Sequence, residues 1–274
     1  MNPHPLLDVR QLAGDLRSYL AEIGTLFRVF DQQDSGCISY GLHAAGRNWF
    51  IKYSDKPASI AHMLNAAAFH RDISHPRIPK LLHAFRDRIG YAQVYEWVDG
   101  EVLYSPQYPG REGRSHPDSP HFRFRQLPVN AIIAALNTVY EIHADLEQRG
   151  YVAVDFYDGA MIYDFSRGEL RLCDFDHYVR GPFTLEADRL FGSSRFMAPE
   201  EFVRGSRIDR RTNVFTMGAS AFVFLANDGS RDARDWRASE ALYRVALRAV
   251  APDPGDRYPS VQAWLEAWRT AAQR

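Results

Sequence analysis

Asp155 and Asp174 are the residues whose type and spacing best suit them to chemistry. Each follows a short apolar run and each precedes a phenylalanine, as Asp155-Phe156 and Asp174-Phe175. Carboxylates at the ends of neighbouring strands converge on one point, where one can accept a proton and the other can hold a metal ion. The alternative is that both simply open turns, as aspartate often does. The elements that must position them are short. Residues 151–154 lead into the first aspartate. Residues 161–163 and 170–173 flank the segment FSRGE, in which Gly168 supplies a turn, so a hairpin lies between the two carboxylates.

The stretch 151–176 resembles the catalytic core of the protein kinases, in which H-R-D-x-x-x-x-N is followed by a hairpin, D-F-G and A-P-E. Ala153-Val154-Asp155 stands at the first motif, Asp174-Phe175-Asp176 at the second and Ala198-Pro199-Glu200 at the third. Residues 192–197, GSSRFM, precede the last motif as G-T-x-x-Y-x does in the family. The form most resembled is that of bacterial serine/threonine protein kinase-like proteins. The resemblance implies an α+β, two-lobed protein kinase-like fold. A small mainly-β N-lobe would span residues 1–97 and a larger mainly-α C-lobe residues 98–274. It also implies ATP and Mg²⁺ as ligands and a hydroxyl group, on a protein or a small molecule, as acceptor.

Site roles follow from the same resemblance. Asp155 is the base or orienting group for the acceptor hydroxyl, and Asp174 the Mg²⁺ ligand. Lys52, ending Trp49-Phe50-Ile51-Lys52, is the clamp on the α- and β-phosphates. Gly36 closes the loop DQQDSG, which has one glycine where the family's phosphate loop has three, and Cys37 opens the strand after it; both are nucleotide-binding candidates. Tyr95 stands at the gatekeeper position, and the backbone near Glu96 and Val98 meets the base. Ser193 belongs to the activation segment. Arg257, after Asp256, is the expected partner of Glu200.

Several positions depart from the family pattern. Ala160 stands where a metal-binding asparagine is expected, five residues after Asp155, so Asp176 or Asp158 must replace it in an active enzyme. If residues 174–176 are extended, Asp174 and Asp176 face one side and can share a metal. The helix expected to carry a glutamate for Lys52 reads Leu64-Asn65-Ala66-Ala67, with Asn65 as the available hydrogen-bonding group. Phe50 replaces the alanine beneath adenine, Val154 the arginine that reads a phosphorylated loop, and Asn213 the aspartate opening a long buried helix. Three functions stay open: a protein kinase, a nucleotide-binding pseudokinase, and a small-molecule kinase on the same fold.

The remaining pattern fills in the two lobes. Apolar spacing predicts helices over 6–23, 59–70, 129–147, 213–226, 239–250 and 260–268, with Ser59 as the N-cap of the second. Strands are expected at 26–30, 37–42, 49–53 and 91–97. Residues 105–128 lack periodicity and read as a loop, whose Arg111, Arg114, Arg123 and Arg125 are either solvated or positioned for an acidic substrate. The chain has 274 residues, 46% hydrophobic and 24% charged, with a net charge of −1, which suits a globular protein and gives no reason to expect nucleic acid or a membrane as partner. Cys37 and Cys173 read as buried thiols, and a cytoplasmic location is the expectation.

Overall fold

The computed structural model describes residues 4–32 and 35–273. Gln33 and Asp34, in the middle of the DQQDSG loop, lie outside the described residues. The chain forms two compact units, Met1–Asp99 and Gly100–Arg274. The architecture is mixed α and β and is compatible with a two-lobed kinase-like fold. Among the described residues no helix is long and apolar enough to cross a membrane.

The first unit contains α1 (Leu16–Ile23), β1 (Thr25–Phe30), β2 (Ile38–Ala44), β3 (Arg47–Ser54), α2 (Pro57–Asp72), β4 (Leu81–Arg86) and β5 (Tyr91–Glu96). Its antiparallel sheet runs β1-β2-β3-β5-β4. Strand alternation divides the work between the faces. Tyr40, Leu42, Trp49, Ile51, Ala92 and Val94 pack with Leu16 and Leu20 of α1 in the core. Ser39, Gly41, Phe50, Lys52, Gln93 and Tyr95, in register with one another across β2, β3 and β5, occupy the other face.

Two expectations for this unit need correction. The helix expected over 6–23 begins only at Leu16, because Gly14 breaks it and the Asp15 carboxylate accepts the Ser18 N–H as an N-cap. Leu6 and Leu12 reach the same core from outside a helix, and the Leu12 N–H donates to Arg86 O. Ser59 is not the cap of α2. The helix starts with Pro57 in its first turn, and the Ser59 hydroxyl donates to Ser35 O at 2.6 Å.

The second unit contains β6 (Glu101–Val102), α3 (Gly110–Arg114), α4 (Pro120–Arg125), α5 (Val129–Gln148), β7 (Tyr151–Val152), β8 (Met161–Asp164) and β9 (Glu169–Leu172). Then come β10 (Val179–Arg180), β11 (Phe183–Thr184), β12 (Arg207–Ile208), α6 (Arg210–Leu225), α7 (Glu240–Ala249) and α8 (Val261–Ala272). Helix α6 is buried from Thr212 to Leu225, which explains its unbroken apolar run. Tyr140 of α5 meets Trp264 and Trp268 of α8 edge-on. The hairpin forms as β8–β9 with Met161 opposite Leu172, its turn tied by the Asp164 carboxylate to the Ser166 and Arg167 N–H groups. Residues 105–128 are not simply a loop. They fold into α3 and α4, each too short to show a period in the sequence.

Candidate functional site

Each unit carries some of the candidate residues. In the first, Lys52 sits on β3 with only 9% of its surface exposed, flanked across the sheet by Ser39 and Gln93. The Gln93 amide donates to Met63 O of α2 and accepts the Tyr95 hydroxyl at 2.9 Å. The Tyr95 ring lies against Phe50 and His70. Further along α2, His70 lies close enough to Lys52 to feel its charge. Burial and the Lys52 charge push the His70 pKa down to about 4, so the ring is neutral at ordinary pH and does not repel the ammonium.

The remaining ligand-binding candidates of this unit are partly committed elsewhere. Gly36 adopts a left-handed φ of 70°, and its carbonyl accepts the Ser54 hydroxyl at 2.9 Å. The Cys37 side chain packs with Met63 and Tyr91 in the core, and its backbone N–H donates to the Ser35 hydroxyl at 3.3 Å. The Glu96 N–H donates to Lys80 O, and its carboxylate accepts the Lys80 N–H. Val98 is half-buried just beyond β5. Gly41 pairs with Phe50, and a Cβ there would lie 2.7 Å from the Phe27 ring and 3.0 Å from that of Trp97. Glycine is required because this edge-on aromatic pair rests directly on the backbone.

In the second unit Asp155 and Asp174 are both held at a φ of 62°, a left-handed conformation that costs a non-glycine residue energy. Asp155 is half-buried and Asp174 exposed. Burial, and then the charges of both aspartates, raise the pKa of Tyr157 and of Tyr178. His177 Nε2 lies 3.8 Å from Asp155 Oδ2. Beneath them His143 donates from Nδ1 to Val139 O at 2.7 Å, because a carbonyl only accepts. Burial pushes its pKa down to about 4, so Nε2 is bare and accepts the Tyr178 hydroxyl at 2.8 Å.

The turn that carries Asp155 is anchored from α6. Asn213 Oδ1 accepts the Ala153 N–H at 2.9 Å, while its Nδ2 donates to Tyr151 O at 3.1 Å and to the Glu147 carboxylate. The amide therefore does more than a carboxylate could, since it both accepts and donates. Burial raises the Glu147 pKa to about 7.

The expected pairing of Asp174 with Asp176 on one extended face needs correction. Strand β9 ends at Leu172, and the left-handed Asp174 breaks the alternation. Asp176 is only 6% exposed whereas Asp174 is open. Among the described residues no group of three or more His, Cys, Asp or Glu is arranged to hold a metal. Asp158 is fully buried and engaged by Arg195 through both carboxylate oxygens, so it is not offered to a metal.

Two of the four arginines in 105–128, Arg114 and Arg125, are turned inward, and Arg123 makes an ion pair at the surface. Arg114 pairs with Asp228, Arg123 with Glu101, and Arg125 donates to Ala226 O. Ser193 is a turn residue whose carbonyl accepts the Phe196 N–H. Arg257 donates to both oxygens of Glu200, at 2.6 and 2.8 Å.

No known family model matches the chain. It is similar to Tyrosine-protein kinase MasK of Myxococcus xanthus (strain DK1622), 31% identical over 99 residues, which covers 29% of this chain and 15% of that protein. It is also similar to Serine/threonine-protein kinase pkn3 of Myxococcus xanthus, 24% identical over 200 residues, covering 62% of this chain and 34% of that protein. The chain thus spans about a third or less of the length of these relatives. The matches support a distant and partial kinase-like relationship and carry no catalytic detail.

Sequence reasoning missed His70, the His143–Tyr178 pair and the ion cluster around Asp158. Histidines inside helices give no signal of a site. Asp228 reads as an ordinary turn residue of NDGS.

Proposed function

We propose that this chain is an ATP-dependent phosphotransferase that moves the γ-phosphate to a hydroxyl acceptor, with a protein serine or threonine as the first choice of acceptor. The observation that carries the reading is the pair of left-handed aspartates, Asp155 and Asp174, whose charges both act on Tyr157 and Tyr178. Backbone strain held at two carboxylates in one place is a mark of function.

Asp155 takes the hydroxyl proton as the acceptor oxygen bonds to phosphorus and the bond to the β-phosphate oxygen breaks. His177 Nε2 lies 3.8 Å from that carboxylate. Lys52, nearly buried and next to a neutral His70, holds the α- and β-phosphates. The exposed Asp174 carboxylate suits Mg²⁺, a hard ion commonly held by one or two carboxylates together with substrate phosphates. Asp176 is the second candidate for that task. When bound, Mg²⁺ neutralises charge on the transferring phosphates.

A second reading is a nucleotide-binding module without transfer. It is favoured by Ala160 and by the Phe27–Trp97 pair over Gly41, which takes up sheet face where the resemblance puts the base. Calorimetric titration of ATP with and without Mg²⁺, beside a phosphate-transfer assay on wild type, Asp174→Asn and Asp176→Gly, separates the two. Transfer by wild type and its loss in Asp174→Asn are expected. Nucleotide binding that ignores Mg²⁺, with no transfer, establishes the binding module instead.

A further inference from the structure

Behind Asp155 lies a cluster of five charged or titratable side chains drawn from five separate segments. Asp158 belongs to the catalytic turn, Arg195 to the 192–200 segment, Arg114 to α3, His121 to α4, and Asp228 to the turn after α6. Arg195 closes on Asp158 with Nη2 at 2.8 and 2.7 Å from its two oxygens, and its Nη1 donates to Asp228 Oδ1 at 3.0 Å. Arg114 donates to the other Asp228 oxygen at 2.8 Å. His121 Nδ1 lies 3.0 Å from Asp158 Oδ2 and Nε2 lies 3.5 Å from Asp228 Oδ1, both without hydrogen-bond directionality. Burial raises the Asp158 carboxyl, but the contacts with His121 and Arg195 outweigh it and leave the pKa below the usual value. The same balance, with Arg114 added, lowers Asp228. Both acids are therefore ionised counter-charges.

The cluster's position relates it to the chemistry. Asp158 lies three residues beyond Asp155 in a tight turn, so fixing its side chain fixes the backbone that carries Asp155. On the other side, a Cβ on Gly192 would lie 3.6 Å from Asp155 Cα, so the 192–198 segment rests directly on the catalytic residue. Phe196 buries its ring beside Phe156 and Phe224, while Arg189 donates to Gly192 O. The residue before Asp155 is Val154, which cannot receive a phosphate.

We propose that Arg195 is a positioning residue: its fork onto Asp158 and Asp228 locks the 192–198 segment against the turn bearing Asp155, so that the segment is held in place without phosphorylation. A guanidinium–carboxylate fork fixes direction as well as distance, which a lysine cannot reproduce. This rests on the reading of Asp155 as the catalytic base, but the coupling between segment and turn is measurable without any turnover.

Hydrogen exchange read by mass spectrometry on wild type, Arg195→Gln and Arg195→Lys tests it, with helix α8 as the internal control for global folding. In Arg195→Gln, exchange should rise at least tenfold in peptides covering 190–198 and 153–160 together, with α8 unchanged. Arg195→Lys should show a smaller rise in both. Loosening confined to 190–198 overturns the proposal, as does equal behaviour of the two variants. Wild-type protein treated with a phosphatase, and verified by mass, should retain its exchange pattern; loosening of 190–198 after that treatment also overturns it. If wild type transfers phosphate, Arg195→Gln should lower kcat at least tenfold with the KM for ATP unchanged. If wild type transfers none, the phosphotransferase reading fails, while the exchange arms still decide the lock.

Discussion

The ion pair of Glu200 and Arg257 gives an asymmetric prediction. Arg257 is only 2% exposed. Besides the two bonds to Glu200, its guanidinium donates to Ala251 O at 2.7 Å, Pro252 O at 3.0 Å and Arg211 O at 3.1 Å, and it lies over the Phe215 ring. Glu200, by contrast, has the Thr212 hydroxyl as its other side-chain partner among the described residues. Glu200→Ala therefore strands a cation that keeps three carbonyls and an aromatic face, and should cost about 2–3 kcal/mol. Arg257→Ala strands a buried carboxylate, leaves three carbonyls short of a donor and opens a cavity, and should cost about 4–5 kcal/mol. Since a chain of two units need not unfold in one step, the appropriate assay is native-state hydrogen exchange of α6, which reports the second unit alone. Glu200→Ala costing as much as Arg257→Ala, or both costing under about 1 kcal/mol, would refute the reasoning.

Three further outcomes are expected. The Glu201 carboxyl, raised by burial to about 8, keeps its proton to a higher pH when folded than when unfolded, so the stability it contributes is full below about pH 4.5 and is lost as pH rises through about 8. Urea melts at pH 5 and pH 8.5 should show Glu201→Gln gaining on wild type by up to about 1.4 kcal/mol per pH unit across that window, and a flat difference counts against it. Asn213→Asp, although it restores the family residue, should destabilise the second unit by about 1–3 kcal/mol, more at pH 8 than at pH 5, because the donor to Tyr151 O is lost and a charge is set beside Glu147; thermal melts at the two pH values check this. Lys52→Ala should reduce phosphate transfer at least about 10²-fold with an unchanged circular dichroism spectrum, and retained turnover would remove Lys52 from the site.

Much of the architecture was legible because it is periodic. Helices α5 to α8, the β8–β9 hairpin and strands β1 to β3 all follow apolar spacings long enough to identify. The false start of the first helix arose because Leu6 and Leu12 are core residues at helical spacing without being helical, and only Gly14-Asp15 betrays the break. Helices α3 and α4 span five and six residues, less than two turns, so no period exists to be read. The local arrangement of Asp174 and Asp176 was misjudged because alternation holds only in extended backbone, and the left-handed φ of Asp174 is not written in its residue type. The ion cluster was invisible for a different reason: Arg114 and Asp228 are 114 residues apart, and no spacing rule joins them.

The aromatic pair on Gly41 has an optical consequence. Of the five tryptophans, Trp49, Trp264 and Trp268 are fully buried, and Trp236 is half-buried in the second unit with its indole N–H donating to Ser239 O. Trp97 is half-buried in the first unit, edge-on to Phe27, with its indole N–H donating to Asp99. A ligand that displaces or stacks on this pair changes the polarity around one indole and leaves the other four unaltered. The chain thus carries its own fluorophore on the sheet face that also bears Lys52, so nucleotides and their analogues can be screened by intrinsic emission, without a label and without turnover.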